Sequence, residues 1–335
     1  MAVLAFLSVG AWESYWRSQG YTADLDDDKN LWSWNRSKLD KASADDVALL
    51  GSSRVLFDIQ LDAFETQTGK KPIMLACAGG SPLPVLKDIV EQTAFKGTLI
   101  IGVTPPLFFS TTFPQASPWK RPQSRIDYYY NRTYAQRLNY MVSFRLQQQF
   151  AMLSANEEQW SNDIDFKALL RNVQMERRTS SPQMPPFYNF STIDEDRNTK
   201  MLPRVYQDTA FANSIIKVWG FMGKSAPPPD KASTIAFFLD YAKQYTERGG
   251  KIILVRCPSE GGFRMGEKMV TPRDEFWGEL LEKSQLPGYH FEDYPQLQYP
   301  CPEWSHLNAE DAYAFTTELT KLIQQDGYLT NFKTE

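Results

Sequence analysis

With 335 residues, 42% of them apolar and 23% charged, and with 21 Pro and 18 Gly, the chain has the composition of an ordinary folded protein, which excludes the collagen-like, low-complexity and wholly disordered classes. A formal charge of −4 supplies no global positive field, so nucleic acid is not expected as a partner. Three cysteines, Cys77, Cys257 and Cys301, stand in no Cys-x-x-Cys or Cys/His ligand spacing and make neither a disulfide framework nor a structural zinc site.

The first segment, Ala2 to Trp12, is apolar and breaks at Glu13 and Arg17. It falls short of the about 20 residues that span a bilayer. It has the length of a signal-peptide core without the basic stretch that precedes one. Two readings stay open: the end of an export signal or signal-anchor whose start is missing, which implies an extracytoplasmic protein, periplasmic or membrane-anchored, or an ordinary buried helix. Gly20 to Asp46, rich in Asp and Trp, reads as a surface lead-in, so residues 1–45 precede the domain proper. Asp24-x-Asp26-x-Asp28-x-Asn30 has the oxygen alternation of a calcium loop but lacks the required Gly and Glu, and reads as a solvated acidic turn.

Val47 to Leu50 is the first strong strand pattern and runs into Gly51-Ser-Ser-Arg54. Ile73 to Ala76, Thr98 to Val103 and Lys251 to Arg256 follow at intervals suited to parallel strands with helical crossovers, and Tyr289 to Tyr294 is a candidate fifth strand. Helices are predicted over Pro84 to Phe95, from an Asp230 cap to Gly249-Gly250, from Thr271-Pro272 through Leu281, and from an Asn308 cap along Ala312, Phe315, Leu319 and Leu322. This β-α-β alternation argues an α/β domain over residues 46–335, an open parallel sheet with helices on both faces.

Residues 110–226 interrupt the alternation as a mostly helical insertion with no strong strand. Tyr134, Leu138, Met141, Leu146, Phe150 and Leu153 fit one long amphipathic helix, and a Pro-rich, Met-rich loop runs from Ser180 to Phe187. Lys120, Arg121, Arg125, Arg132, Arg137 and Arg145 face Asp127 alone, with tyrosines interleaved. That pattern fits a solvated helix face or a surface for an anionic polysaccharide or lipid headgroup, and no nucleic-acid motif accompanies it.

In open α/β sheets ligands bind outside the carboxyl ends of the strands. The residues to inspect are therefore Ser52, Ser53 and Arg54, then Gly79, Gly80 and Ser81, then Thr104, then Arg256 and Cys257, with His306 on a loop before the last helix. A serine at a strand-to-helix turn, glycines offering amides, and a histidine three residues after a carboxylate are the parts of an acyl-transfer site. Each part alone has a plainer reading, turn chemistry for Ser-Ser and packing for His306. Their joint occurrence in this order favours a site. Arg54 and Arg256 either pair with core carboxylates or bind an anionic substrate group. His290 reads as structural, and Cys257 and Cys301 either pair in an oxidising compartment or stay separate thiols.

Gly51-Ser52-Ser53 after Val-Ala-Leu-Leu resembles the Gly-Asp-Ser block of the SGNH (GDSL-like) hydrolases, and Glu303-Trp-Ser-His306-Leu-Asn resembles their late Asp-x-x-His block. The resemblance covers residues 46 to 325 apart from the insertion. It implies a three-layer, flavodoxin-like α/β/α fold, Ser53 as nucleophile, His306 as general base and Glu303 as the group that orients the imidazole, with Asp293 as the fallback. The amides of Ser53 and Gly80 would hold the oxyanion. Thr104 stands where the family has an oxyanion-binding Asn; losing an amide donor costs about 3 kcal/mol of transition-state stabilisation, which implies slow or specialised catalysis. Similar segments occur in extracytoplasmic proteins that acylate cell-envelope polymers. The expected activity is that of a serine esterase or O-acyltransferase on an acyl ester or glycan, with a possible membrane-bound acyl-transfer partner and no cofactor or metal. The rival expectation is a catalytically inactive scaffold that binds glycan or partner proteins.

Overall fold

A computed structural model describes residues 1–110, 116–154, 184–224 and 228–330. Its strands are β1 Val47–Leu50, β2 Ile73–Met74, β3 Thr98–Gly102, β4 Ser191–Ile193, β5 Thr199–Met201, β6 Lys251–Arg256 and β7 Gly288–His290. The helices up to the insertion are α1 Ala2–Ser18, α2 Lys29–Ser37, α3 Ser53–Asp58, α4 Leu61–Thr68, α5 Leu83–Gln92 and α6 Pro105–Phe108. The insertion holds α7 Ser117–Asn131, α8 Tyr134–Gln147, α9 Ala151–Ser154, α10 Pro203–Gln207 and α11 Thr209–Gly223. After it come α12 Lys231–Glu247, α13 Gly261–Val270, α14 Glu279–Ser284 and α15 Ala309–Gln325.

Five strands form one sheet in the order β2-β1-β3-β6-β7, and every pairing in it is parallel. With the insertion left out the order reads 2-1-3-4-5, a doubly wound sheet whose direction of growth reverses between β1 and β3. Successive strand residues point to opposite faces. Leu49, Ile100 and Ile253 accordingly join one apolar cluster with Val55 of α3, Phe64 of α4, Ile215 of α11 and Phe315 of α15. Leu50, Ile101 and Leu254 join another with Leu86 of α5, Ile126 of α7, Phe238 of α12 and Leu280 of α14. Burial on both faces is why these strands read as unbroken apolar runs rather than alternations.

Most predicted elements fall where the patterning puts them. The Asp230 side chain accepts the Ser233 amide to start α12, which gives way to Gly249 at φ 94°, and Asn308 accepts the amides of Glu310 and Asp311 to start α15. Several expectations need correction. The last strand ends at His290, because Phe291–Asp293 closes into a 3₁₀ turn whose Glu292 amide donates to His290 Nδ1 at 3.2 Å. The helix expected from Thr271-Pro272 through Leu281 is present, helical from Arg273, wound as a π-helix over Asp274–Gly278 and continuing into α14, but the preceding Gly261–Val270 segment, which the patterning does not mark, is itself helical. The insertion contains an antiparallel hairpin, β4–β5, whose three-residue strands are too short to show a period. The single long helix splits at Gln148–Phe150 into α8 and α9, and residues 180–183 of the predicted loop lie outside the described residues.

The lead-in is not a surface feature. Trp32 of α2 is fully buried and donates its indole N–H to the Leu75 carbonyl at 3.1 Å, and Arg36 pairs with Asp88 at 2.5 Å. Nor is the acidic run a solvated turn: Asp28 caps α2, Asp27 lies between Arg125 and Arg197 of the insertion, and Asp24 accepts the Ile193 amide of β4 at 2.8 Å. Burial outweighs that amide bond and the one from Leu25, and pushes the Asp24 carboxyl up to about 6. These acids clasp the insertion to the sheet domain beside the β1–β3 crevice.

Candidate active site

The turn after β1 is shaped by close approach. A Cβ on Gly51 would lie 2.4 Å from Val55 Cγ2, and one on Gly102, at the end of β3, only 2.1 Å from the same atom. Two glycines on adjacent strand ends thus let α3 settle onto the sheet, with its first residue at the switch point. The two neighbouring serines then divide. Ser52 is buried, caps α3 by accepting the Arg54 amide, and shares a 2.6 Å hydrogen bond with Thr104 Oγ1. Ser53 opens α3, and its Oγ lies 2.8 Å from His306 Nε2.

His306 comes from the loop before α15. Glu303 Oε1 accepts from His306 twice, from the backbone amide at 2.6 Å and from ring Nδ1 at 2.8 Å. That bond sets the tautomer, leaving Nε2 unprotonated to take a proton from Ser53. The three-residue spacing works because Trp304 adopts φ 76°, an uncommon conformation for an aromatic residue, with its ring packed over Gly261 and Gly262. Glu303 is fully buried, and its second oxygen accepts the indole N–H of Trp219 at 2.5 Å. Trp219 belongs to α11, so the insertion supplies the last link of this hydrogen-bonded chain. Below the loop, Asp58 accepts the Leu307 amide at 2.9 Å, and complete burial pushes its carboxyl well above the usual range.

Ser53 and His306 line a cavity of about 680 Å³. One wall is aromatic: Phe57 stacks on the His306 ring at 4.4 Å, and Phe187, Phe190, Trp219 and Phe263 continue it. Asp24, Asp27, Ser117, Gly79 and Arg121 also line the cavity, which offers polar as well as aromatic contacts.

The other predicted site residues fare differently. The Gly80 amide is taken up by the Cys77 carbonyl at 2.9 Å in a tight turn, so it is no oxyanion donor. Gly79, at φ 63°, is the turn residue that lines the cavity, and its amide enters no hydrogen bond among the described residues. Thr104 lines the cavity with its hydroxyl bonded to Ser52; it can donate inward only when Ser52 donates to it. Arg54 and Arg256 are buried and paired with one carboxylate, Glu267, at 2.7 and 2.5 Å. This resolves their open reading toward core ion pairs, although Arg54 still touches the cavity wall. Burial alone would raise the Glu267 carboxyl, but the charges of Arg256 and Arg54 hold it down to about 2. Asp293 pairs with Arg273 at 2.6 Å instead of serving His306. His290 is buried, and that burial with the charges of Arg256, Arg273 and Arg264 depresses it to about 2, in keeping with a structural role. All three cysteines are free, buried thiols.

Trp219, Phe190, Phe263, Asp58 and Glu267 are absent from the sequence-based site. Only Asp58 carried a signal, an acid within the apolar run Val55-Leu-Phe-Asp-Ile59. Among the described residues no group of three His, Cys, Asp or Glu is placed to hold a metal. The sequence matches no protein-family model, and no curated protein is significantly similar to it.

Proposed function

We propose that the protein is a serine esterase or O-acyltransferase with an SGNH-like three-layer domain, acting on acyl esters of a cell-envelope or extracellular polysaccharide. The observation that carries this reading is the unbroken chain from Ser53 Oγ through His306 to Glu303, each link 2.8 Å, opening into a cavity of about 680 Å³. Ser53 attacks the ester carbonyl and its proton passes to His306 Nε2. Glu303 stabilises the imidazolium, and the alkoxide leaves with the proton that His306 returns. The Ser53 amide, at the first turn of a helix where it has no intrahelical acceptor, faces the oxyanion together with Gly79 rather than Gly80. Water or a sugar hydroxyl then takes the acyl group from Ser53 by the reverse path. The aromatic lining suits an acyl chain or the apolar face of a sugar ring, and the polar lining residues suit hydroxyl groups.

The test is labelling by a fluorophosphonate, together with turnover of aryl acetates and butyrates, in the wild type, Ser53→Ala and His306→Ala. Labelling of Ser53 and turnover lost in both variants supports the enzyme. Wild type at background with no label leaves the inactive glycan-binding scaffold as the better account.

A further inference from the structure

Two helices of this chain turn apolar residues to solvent at one corner. Between Ala2 and Trp12, α1 carries no charge, and Val3, Leu4, Phe6 and Leu7, spread around its circumference, are 65–80% exposed. A helix that is apolar all round has no solvated side. It is tied to the molecule farther along: Glu13 accepts the amides of Ala151 and Met152 at 2.9 and 3.0 Å, capping α9, and Arg17 donates to the Gln149 carbonyl at 2.9 Å. Those anchor points adjoin the end of α8.

Helix α8 is amphipathic in the inverted sense. It packs inward through Phe144 and Tyr140 against Leu25 and Leu31. Tyr134, Leu138, Met141, Val142 and Leu146, at i, i+4, i+7, i+8 and i+12 on one face, are 43–89% exposed. The helix has no Asp or Glu, and its two cations, Arg145 within the stripe and Arg137 at its edge, are exposed and rest on the rings of Phe144 and Tyr134. No described helix is long and apolar enough to cross a membrane.

We propose that α8 and the apolar half of α1 form a docking surface for an anionic lipid bilayer. Leu138, Met141 and Val142 enter the interface, Arg137 and Arg145 meet the phosphates, and α1 dips into the acyl region. The charge pattern selects this occupant: an apolar stripe that carries two arginines and no acid is the pattern of an interfacial helix, and acyl chains can surround the apolar half of α1 on every side. The inference is independent of the esterase reading.

The experiment is co-sedimentation of the full chain with vesicles of equal parts phosphatidylglycerol and phosphatidylcholine, with vesicles of phosphatidylcholine alone, and without vesicles. Binding to the anionic vesicles that weakens with salt is expected. Arg137→Gln with Arg145→Gln should lower it about 25-fold, fivefold for each charge. Leu138→Glu with Met141→Glu, and separately Phe6→Glu with Leu7→Glu, should each lower it at least about tenfold, with melting temperatures unchanged as the check on folding. The proposal is overturned if the wild type does not bind, if the Leu138→Glu and Met141→Glu variant binds as well as wild type, or if light scattering shows that the stripe is covered by a second copy of the chain.

Discussion

Replacing Trp219 with Phe tests how the insertion serves the candidate triad. The substitution keeps an aromatic ring against Phe187, Phe190 and Phe263, whose ring centroids lie 5.3, 6.1 and 6.1 Å from that of Trp219, and removes the indole N–H that reaches Glu303 Oε2. Glu303 is fully buried, so no water replaces the lost donor without rearrangement. A hydrogen bond to a charged group is worth about 1.5–3 kcal/mol. If the bond holds the carboxylate toward His306, that energy is lost from the transition state and the rate of Ser53 acylation falls about 10- to 100-fold. The assay is the second-order rate of fluorophosphonate labelling, read beside aryl acetate kcat/KM, with a melting curve to confirm folding. A Phe variant that is folded and labelled at the wild-type rate would refute the reasoning and reduce Trp219 to packing.

Ser52→Ala removes the α3 cap and the bond to Thr104, and should lower stability by about 1 kcal/mol while labelling of Ser53 persists; loss of labelling in a folded variant, followed by peptide mapping, would show that the two serines are not divided as described. Gly102→Ala places a Cβ 2.1 Å from Val55 Cγ2 and should destabilise by about 1–3 kcal/mol, with part of the loss recovered when Val55→Ala is added; equal melting temperatures for wild type and Gly102→Ala would contradict the close approach. Glu267→Gln strands two buried arginines and should cost about 3–5 kcal/mol near neutral pH. Because the folded Glu267 carboxyl sits near 2 and its ordinary value is 4.5, its stabilising share of about 3 kcal/mol is full above 4.5 and disappears as pH falls through 2. The gap in unfolding free energy between wild type and Glu267→Gln should therefore narrow from about pH 6 to about pH 3, and a constant gap would count against the clamp.

The parallel sheet was legible because burial on both faces demands continuous apolar runs. Val47–Leu50 and Lys251–Arg256 are strands over the same residues that the patterning marks, and the caps at Asp230 and Asn308 act through side-chain bonds to neighbouring amides that local sequence determines. The contact of Ser53 with His306, 253 residues apart, was legible only as a coincidence of order, since each sits beside the start of a helix at the same end of the sheet. What local pattern could not reveal was every interaction whose partner is remote. Gly80 and Gly79 look alike in sequence, and only the turn onto Cys77 decides which amide stays available. Arg54 and Arg256 follow their strands as substrate-binding residues would, and only the packing of α13 brings Glu267 between them. The acidic run looked solvated because its arginines arrive from the insertion.

By itself the sequence determined the core strands of the parallel sheet, the main helix caps and the order of serine, carboxylate and histidine, because these depend on periodicity and on bonds between near neighbours. Tertiary structure decided which serine faces the imidazole, which donor holds Glu303, and what lines the cavity. Those outcomes depend on side chains that meet only after the insertion folds back over the carboxyl ends of the strands, where burial leaves each polar group only the partners that packing brings to it.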